Sequence, residues 1–403
     1  MKNSIINFDQ LIEIGNNKLI ENIKILIYKE NKNLFDLLDF YNDEIFKEPL
    51  LFAYFSSKKK LISLDQLLYG YITPLNRPSC IEVISDEKGK IYLPNIGWFN
   101  TSLIQKIIFL KKTENEYVLE FNKKVIECSF EPIMKLKNNK NLELIQYNHT
   151  LLSEYYRDSE QNNIQVEIKE VAKKQKHNLE KAFELIFENI PSLKKQLIST
   201  LKKVVIFNDP SVKRNSFAIL SVHNTIFLNA FQENYNEVFF IEDISHQGGH
   251  VIFNTIISGQ TNVLFKADSN LRFTNTGLAT TKLEGRTLFV IIHALFTYYL
   301  ITQCLDACID NKVFDCKHKL HEAIGRLAFV VIKFKIDLKL LNQTDSDGNN
   351  LYLTDQGMLF FNLYKSHFTQ INEKWKEKII NLKLTNQPYN FSYQKFLKLN
   401  PLK

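Results

Sequence analysis

Ile241-Glu242-Asp243-Ile244-Ser245-His246-Gln247-Gly248-Gly249-His250 places two histidines four residues apart. On a helix that spacing puts both imidazoles on one face, about one turn from each other. Imidazoles so placed can grip one metal ion together. Gly248 and Gly249 lie between them, and each costs a helix interior about 1 kcal/mol against alanine. A sequence keeps such glycines where a neighbouring helix or a bound ligand must come close to the backbone. The stretch is therefore read as a metal-holding helix.

Its second feature is a residue that is missing. In the H-E-x-x-H pattern of zinc peptidases, the glutamate after the first histidine is the general base. Here that position is Gln247, a neutral amide that cannot take a proton. The helix is expected to bind a metal without hydrolysing peptides. Glu242, one turn before His246, is placed to orient that ring. As a substitute base it is poorly positioned.

A third ligand must come from elsewhere. His293 is embedded in Phe289-Val290-Ile291-Ile292-His293-Ala294-Leu295-Phe296, and Arg286 lies seven residues earlier on the same helical face. A guanidinium two turns from a metal ligand suits the far carboxylate of an oxoacid held by the metal. Glu284 and Asp268 compete with His293, because a carboxylate would complete a 2-His-1-carboxylate triad. Asn215 and Ser216, which open a strand beside Arg214, and His223, in a turn with Asn224, are further candidates to touch cosubstrate or peptide. Arg272 lies in the connection between the two histidine segments. Cys304, Cys308, Cys316, His318 and His321 raise the alternative of a structural zinc, although Cys304 and Cys308 fall in an apolar helical stretch where buried thiols are common.

The 403 residues are 45% hydrophobic, enough to bury a full core in two or three domains. An α+β fold is expected. Helical periodicity covers residues 1 to about 75, and strand and turn signals cover about 78 to 150. Ile81 to Ser85 and Lys90 to Leu93 flank Asp86-Glu87-Lys88-Gly89 as a hairpin, and Tyr117 to Phe121 with Val125 to Cys128 suggests a second. Polar residues from Arg157 to Val166 read as a linker. The expected domains are 1–156, a helical and hairpin-rich region suited to peptide recognition, and 157–403, a mainly helical catalytic domain with a small sheet before the metal helix. That sheet would comprise Val204 to Phe207 and a hairpin of Ser216 to Val222 with Thr225 to Asn229. Helices are expected at about 236–257, 283–309, 320–341 and 356–382.

Net charge is +7 and spread out, with no basic stripe carrying aromatics, so nucleic acid is not an expected partner. No run of about 18 uncharged apolar residues was expected, hence no membrane span, and the polar start is unlike a secretory signal. A cytoplasmic location is expected. Five cysteines, an odd number, argue against a disulfide framework.

Taken in order, Ser221-Val222-His223-Asn224-Thr225-Ile226-Phe227-Leu228, the His246 to His250 motif, Glu284-Gly285-Arg286 leading to His293, and Leu353-Thr354-Asp355-Gln356-Gly357 resemble the HExxH-motif peptide-modification family. The resemblance covers roughly residues 204 to 382. It implies an Fe(II)- and 2-oxoglutarate-dependent β-hydroxylase of ribosomally synthesised peptides, often acting on aspartate. By that resemblance His246, His250 and His293 would bind iron and Arg286 would hold 2-oxoglutarate. Gln247 departs from the family pattern, and it favours an oxygenase, which needs no carboxylate base, over a peptidase. The alternative is a zincin-like peptide-binding protein without hydrolytic activity.

Overall fold

The computed structural model describes residues 6–402 except 114–115, 138, 159, 212, 233, 259–262 and 274–284. It is an α+β protein, 50% helix and 17% strand. The chain begins with α1 (Phe8–Glu30), α2 (Lys32–Phe35), α3 (Asp43–Phe46), α4 (Pro49–Ser56) and α5 (Leu64–Leu68). Nine strands follow: β1 (Cys80–Ile84), β2 (Lys90–Leu93), β3 (Gly97–Asn100), β4 (Ile107–Lys112), β5 (Tyr117–Phe121), β6 (Lys124–Ile126), β7 (Ser129–Pro132), β8 (Met134–Leu136) and β9 (Asn139–Leu144). Helices α6 (Thr150–Ser153), α7 (Lys169–Asn189) and α8 (Pro191–Thr200) lead to β10 (Lys203–Phe207) and β11 (Thr225–Asn229). The remainder is helical: α9 (Glu237–Ile257), α10 (Leu288–Asp310), α11 (Lys317–Leu341), α12 (Asp355–Ile379) and α13 (Tyr393–Leu399), with the short pair β12 (Arg272–Phe273) and β13 (Arg286–Thr287) before α10. These elements form two compact units. A β-rich unit comprises Asn16–Lys176 and Thr200–Glu233, and a helical unit comprises Met1–Gly15, His177–Ser199 and Asn234–Lys403.

In the β-rich unit an antiparallel sheet of order β1-β4-β5-β6 and another of order β2-β3-β7 share one core. Alternation fixes which side faces in: β1 exposes Cys80 and Glu82 and buries Ile81 and Val83, which meet Ile91, Leu93 and Phe99. The expected second hairpin is present as β5 and β6, its turn made by Asn122 and Lys123, both at positive φ. The first is not a hairpin. Its turn closes, Gly89 at φ +74° donating to the Asp86 carbonyl, but β1 pairs with β4 and β2 with β3. That turn carries the chain from one sheet to the other, and turn residues alone do not encode which strand pairs with which.

A third sheet, β11-β10-β9-β8, is parallel across β9, β10 and β11. Strands β10 and β11 are buried at every residue, as parallel strands covered on both faces are. The expected Ser216 to Val222 strand is absent. Phe217 makes one bridge to Phe227, and Leu220–Val222 is a 3-10 turn. Under this sheet Lys203 is buried, its Nζ 2.7 Å from Glu143 and 3.1 Å from Glu48, while Tyr92 donates to Glu143 and Tyr71 to Glu48.

Two buried imidazoles make this unit acid-sensitive. Burial, with Lys203 adding to it, pushes His149 down to about 3, and burial pushes His223 down to about 4. Both lie below the ordinary value near 6.5 that an unfolded chain retains, so the unfolded state binds more protons in between. Stability is therefore complete above about pH 6.5 and falls as pH drops toward 4, by about 1.4 kcal/mol per unit for each ring. Urea denaturation at pH 7, 5.5 and 4.5 should show a declining midpoint, and a constant midpoint would refute the assignment.

In the helical unit α10 packs against α9, α11 and α12. Leu288 to Leu305 contains no Asp, Glu, Lys or Arg, so the expectation of no such run is corrected: α10 is long and apolar enough to cross a membrane, with 67% of its most apolar window buried. It is apolar all round because helices surround it.

Candidate metal centre

Helix α9 begins where Asn236 Oδ1 caps the backbone N–H of Val238 at 2.8 Å. The glycines inside it are answered by packing. A Cβ on Gly249 would sit 3.2 Å from Leu300 Cδ1 and 3.3 Å from Thr297 Cγ2, both on α10, and one on Gly248 would meet Leu197 of α8 at 2.6 Å. This close approach of α9 to α10 is what brings the histidines near each other.

His250 Nδ1 and His293 Nε2 are 2.9 Å apart, and the His246 and His250 ring centroids are separated by 4.9 Å. Phe253 stacks on His293 at 4.8 Å, with Phe289 at 5.5 Å. Burial holds all three imidazoles neutral at pH 7. His250 is pushed down to about 4, while His246 and His293 are held well below the ordinary value by burial and then by His250. Neutral imidazoles are either hydrogen-bond partners or metal ligands. Two nitrogens each about 2.1 Å from one metal at a right angle would lie about 3.0 Å apart, so the His250–His293 spacing fits a cation as well as a hydrogen bond. His246 stands one turn away on the same helix, and among the described residues no three His, Cys, Asp or Glu side chains converge as a ligand set. The donors fit a metal by chemistry, and the His250–His293 pair fits it by spacing.

Of the competing third ligands, Asp268 is exposed and caps its own turn, accepting from Asn270 N at 2.9 Å. Glu284 lies outside the described residues. Arg286 is largely buried at the start of α10, with Nη1 2.8 Å from Asp337 Oδ1. Burial opposes its charge, but Asp337 outweighs it and raises the pKa. Asp337 Oδ2 is buried without a hydrogen-bond partner. Four residues before Asp337 on α11, Lys333 is pushed down to about 8 by burial, with Glu242, Arg286 and Asp337 also within electrostatic reach. Lys333 also bears on His246. Neither Lys333 nor Asp337 was found from the sequence, where their only signal was a lysine and an acid one turn apart on a helix.

Glu242, expected to orient His246, instead accepts from Arg326 Nη1 at 2.5 Å, and Arg326 also donates to Glu322 from Nε and Nη2. Glu322 Oε2 in turn accepts from Asn236, the cap of α9. Gln247 is buried. Its Nε2 is 3.3 Å from Asp243 Oδ1 and its Oε1 has no hydrogen-bond partner. Gln247→Glu would therefore set a buried carboxylate beside Asp243. It is expected to lower stability by roughly 2–3 kcal/mol and to create no peptidase activity. Peptide hydrolysis by the zinc-loaded variant would contradict this.

Asn215, Ser216 and His223 belong to the β-rich unit. Asn215 is exposed, Ser216 Oγ accepts from Asn229 N at 2.8 Å, and His223 is buried against Phe52. Arg272 Nη1 donates to the Gly285 carbonyl, joining β12 to β13. The cysteines are free. Burial raises Cys304 and pushes Cys308 up to about 12, so without a metal both thiols stay protonated. No protein-family model matches the chain, and no curated protein matches it significantly.

Proposed function

We propose that the chain is an Fe(II)- and 2-oxoglutarate-dependent oxygenase that hydroxylates a side-chain β-carbon in a ribosomally made precursor peptide. The observation that carries this reading is the meeting of His250 and His293, from two helices, at 2.9 Å. His250 and His293, joined by His246, would hold the iron, and Arg286 would receive the far carboxylate of the cosubstrate. Bound iron supplies the oxidising power, drawn from O2 and 2-oxoglutarate. The chain's own residues do the rest. Burial keeps the imidazoles neutral with lone pairs available, Phe253 and Phe289 fix the plane of His293, and Asp337 aims the Arg286 guanidinium. With Gln247 buried at the base position, hydrolysis has no proton acceptor there, which supports oxygenase over peptidase chemistry.

The test is to load the protein with Fe(II) anaerobically, then add 2-oxoglutarate, O2 and the peptide encoded beside its gene. Succinate in step with one added oxygen atom on the peptide is expected. Neither product, together with tightly held zinc, would favour the second reading, a zincin-like peptide-binding protein. Gln247's burial is the observation on that reading's side as well.

A further inference from the structure

A primary amine stands near Arg286 that the histidine centre leaves unused. Lys333 and Asp337 are four residues apart on α11 and so share a face, and Asp337 is the carboxylate that holds Arg286 Nη1 at 2.8 Å. Lys333 Nζ donates to the Tyr389 carbonyl at 2.7 Å. It lies 4.4 Å from the Phe329 ring centroid and 4.6 Å from that of Tyr389. Tyr389 is also within electrostatic reach of Arg286, so one tyrosine borders both the amine and the guanidinium. The lysine side chain is partly exposed, which leaves it a way out to solvent.

The charges around the amine come from every helix packed there. Glu242 of α9 and Asp337 of α11 favour the ammonium, Arg286 opposes it, and His246 of α9 feels it in turn. Tyr298 of α10 faces Asp337 and Arg286. The carboxylates act from a distance, because Lys333 forms no ion pair among the described residues. Burial outweighs them and brings the amine down to about 8. At pH 8 an ordinary lysine is less than about 1% unprotonated, whereas Lys333 is about half so. A neutral amine spends one N–H on Tyr389 and keeps its lone pair free to attack a carbonyl carbon.

We propose that Lys333 captures a 2-oxo acid as an imine, with Arg286 receiving the acid's carboxylate. The Nζ lone pair forms the new C–N bond. Both amine hydrogens then leave with the carbonyl oxygen as water, and the C=N bond closes with no oxidant or reductant. The step needs no metal and goes beyond the oxygenase reading. Both uses of Arg286 take a 2-oxo acid, so capture at Lys333 and chelation by iron would exclude each other.

The test uses the full chain without metal, incubated with pyruvate and sodium cyanoborohydride, which reduces an imine to a stable secondary amine. Intact mass and peptide mapping locate the adduct. One pyruvate on Lys333 is expected, formed faster as pH rises toward 8 because the neutral amine becomes more abundant. Pyruvamide, which has the keto carbon without the carboxylate, should react about tenfold more slowly or worse. Lys333→Met keeps an apolar stem between the rings and Lys333→Arg keeps the charge. Both should lose the adduct, and melting curves check their folds. Lys202, which burial also pushes down to about 8 but which pairs with Glu44, is the internal comparison. Adduct shared evenly with Lys202 and surface lysines, an equal rate with pyruvamide, or an unchanged yield in either variant would overturn the assignment. Adduct without hydroxylation would sink only the oxygenase, and hydroxylation without adduct would sink only the imine.

Discussion

Replacing His293 with alanine is expected to abolish hydroxylation and to weaken iron binding by about 100-fold or more. His293 stands 2.9 Å from His250 and sits between Phe253 and Phe289, so its loss removes a donor and leaves an apolar gap where water cannot ligate well. Partners that only orient a metal ligand cost 10–100-fold when removed, and a ligand itself costs at least the upper end of that range. His250→Ala should behave alike. The readout is Fe(II) affinity by anaerobic titration alongside succinate formation. A His293→Ala protein that binds iron as the parent does would show that the pair is only a hydrogen bond.

Arg326→Ala is expected to cost about 3–5 kcal/mol of stability, the largest structural effect in the helical unit. The guanidinium is buried, serves Glu242 and Glu322 at once, and lies over the Phe239 and Phe391 rings. Deleting it leaves the Glu322 carboxylate buried with no cation, and removing one partner of such a pair costs more than removing both. Glu322 also holds Asn236, so the start of α9 should loosen, with lower protection of its first turn in hydrogen exchange. Urea denaturation gives the magnitude, and a loss below about 1 kcal/mol would mean that the network relaxes around the gap.

What the sequence disclosed follows from how local each signal is. Thr354 as a cap, α9 to α12 as helices, and the Asn122-Lys123 turn were readable because spacing and turn chemistry act within a few residues. His250 and His293 lie 2.9 Å apart, and the close approach of α9 to α10 at Gly249 gives the physical reason. Pairing at long range was not legible. The turn at residues 86–89 joins two sheets, β10 and β11 run parallel, and Arg326 rather than His246 engages Glu242. Arginine is scarce in this lysine-biased chain, but scarcity does not say which carboxylates an arginine meets, as Arg326 with Glu242 and Glu322 shows. The apolar run of α10 shows the opposite limit, since composition alone does not distinguish a helix wrapped by helices from one wrapped by lipid.

X-ray absorption on the full chain loaded anaerobically with one equivalent of Fe(II) tests the histidine centre most directly. The proposal that His250 and His293, joined by His246, hold iron predicts imidazole nitrogens about 2.1 Å from the metal, lost when His250 or His293 is alanine. An iron surrounded by oxygen alone, or a spectrum unchanged in both variants, would contradict it.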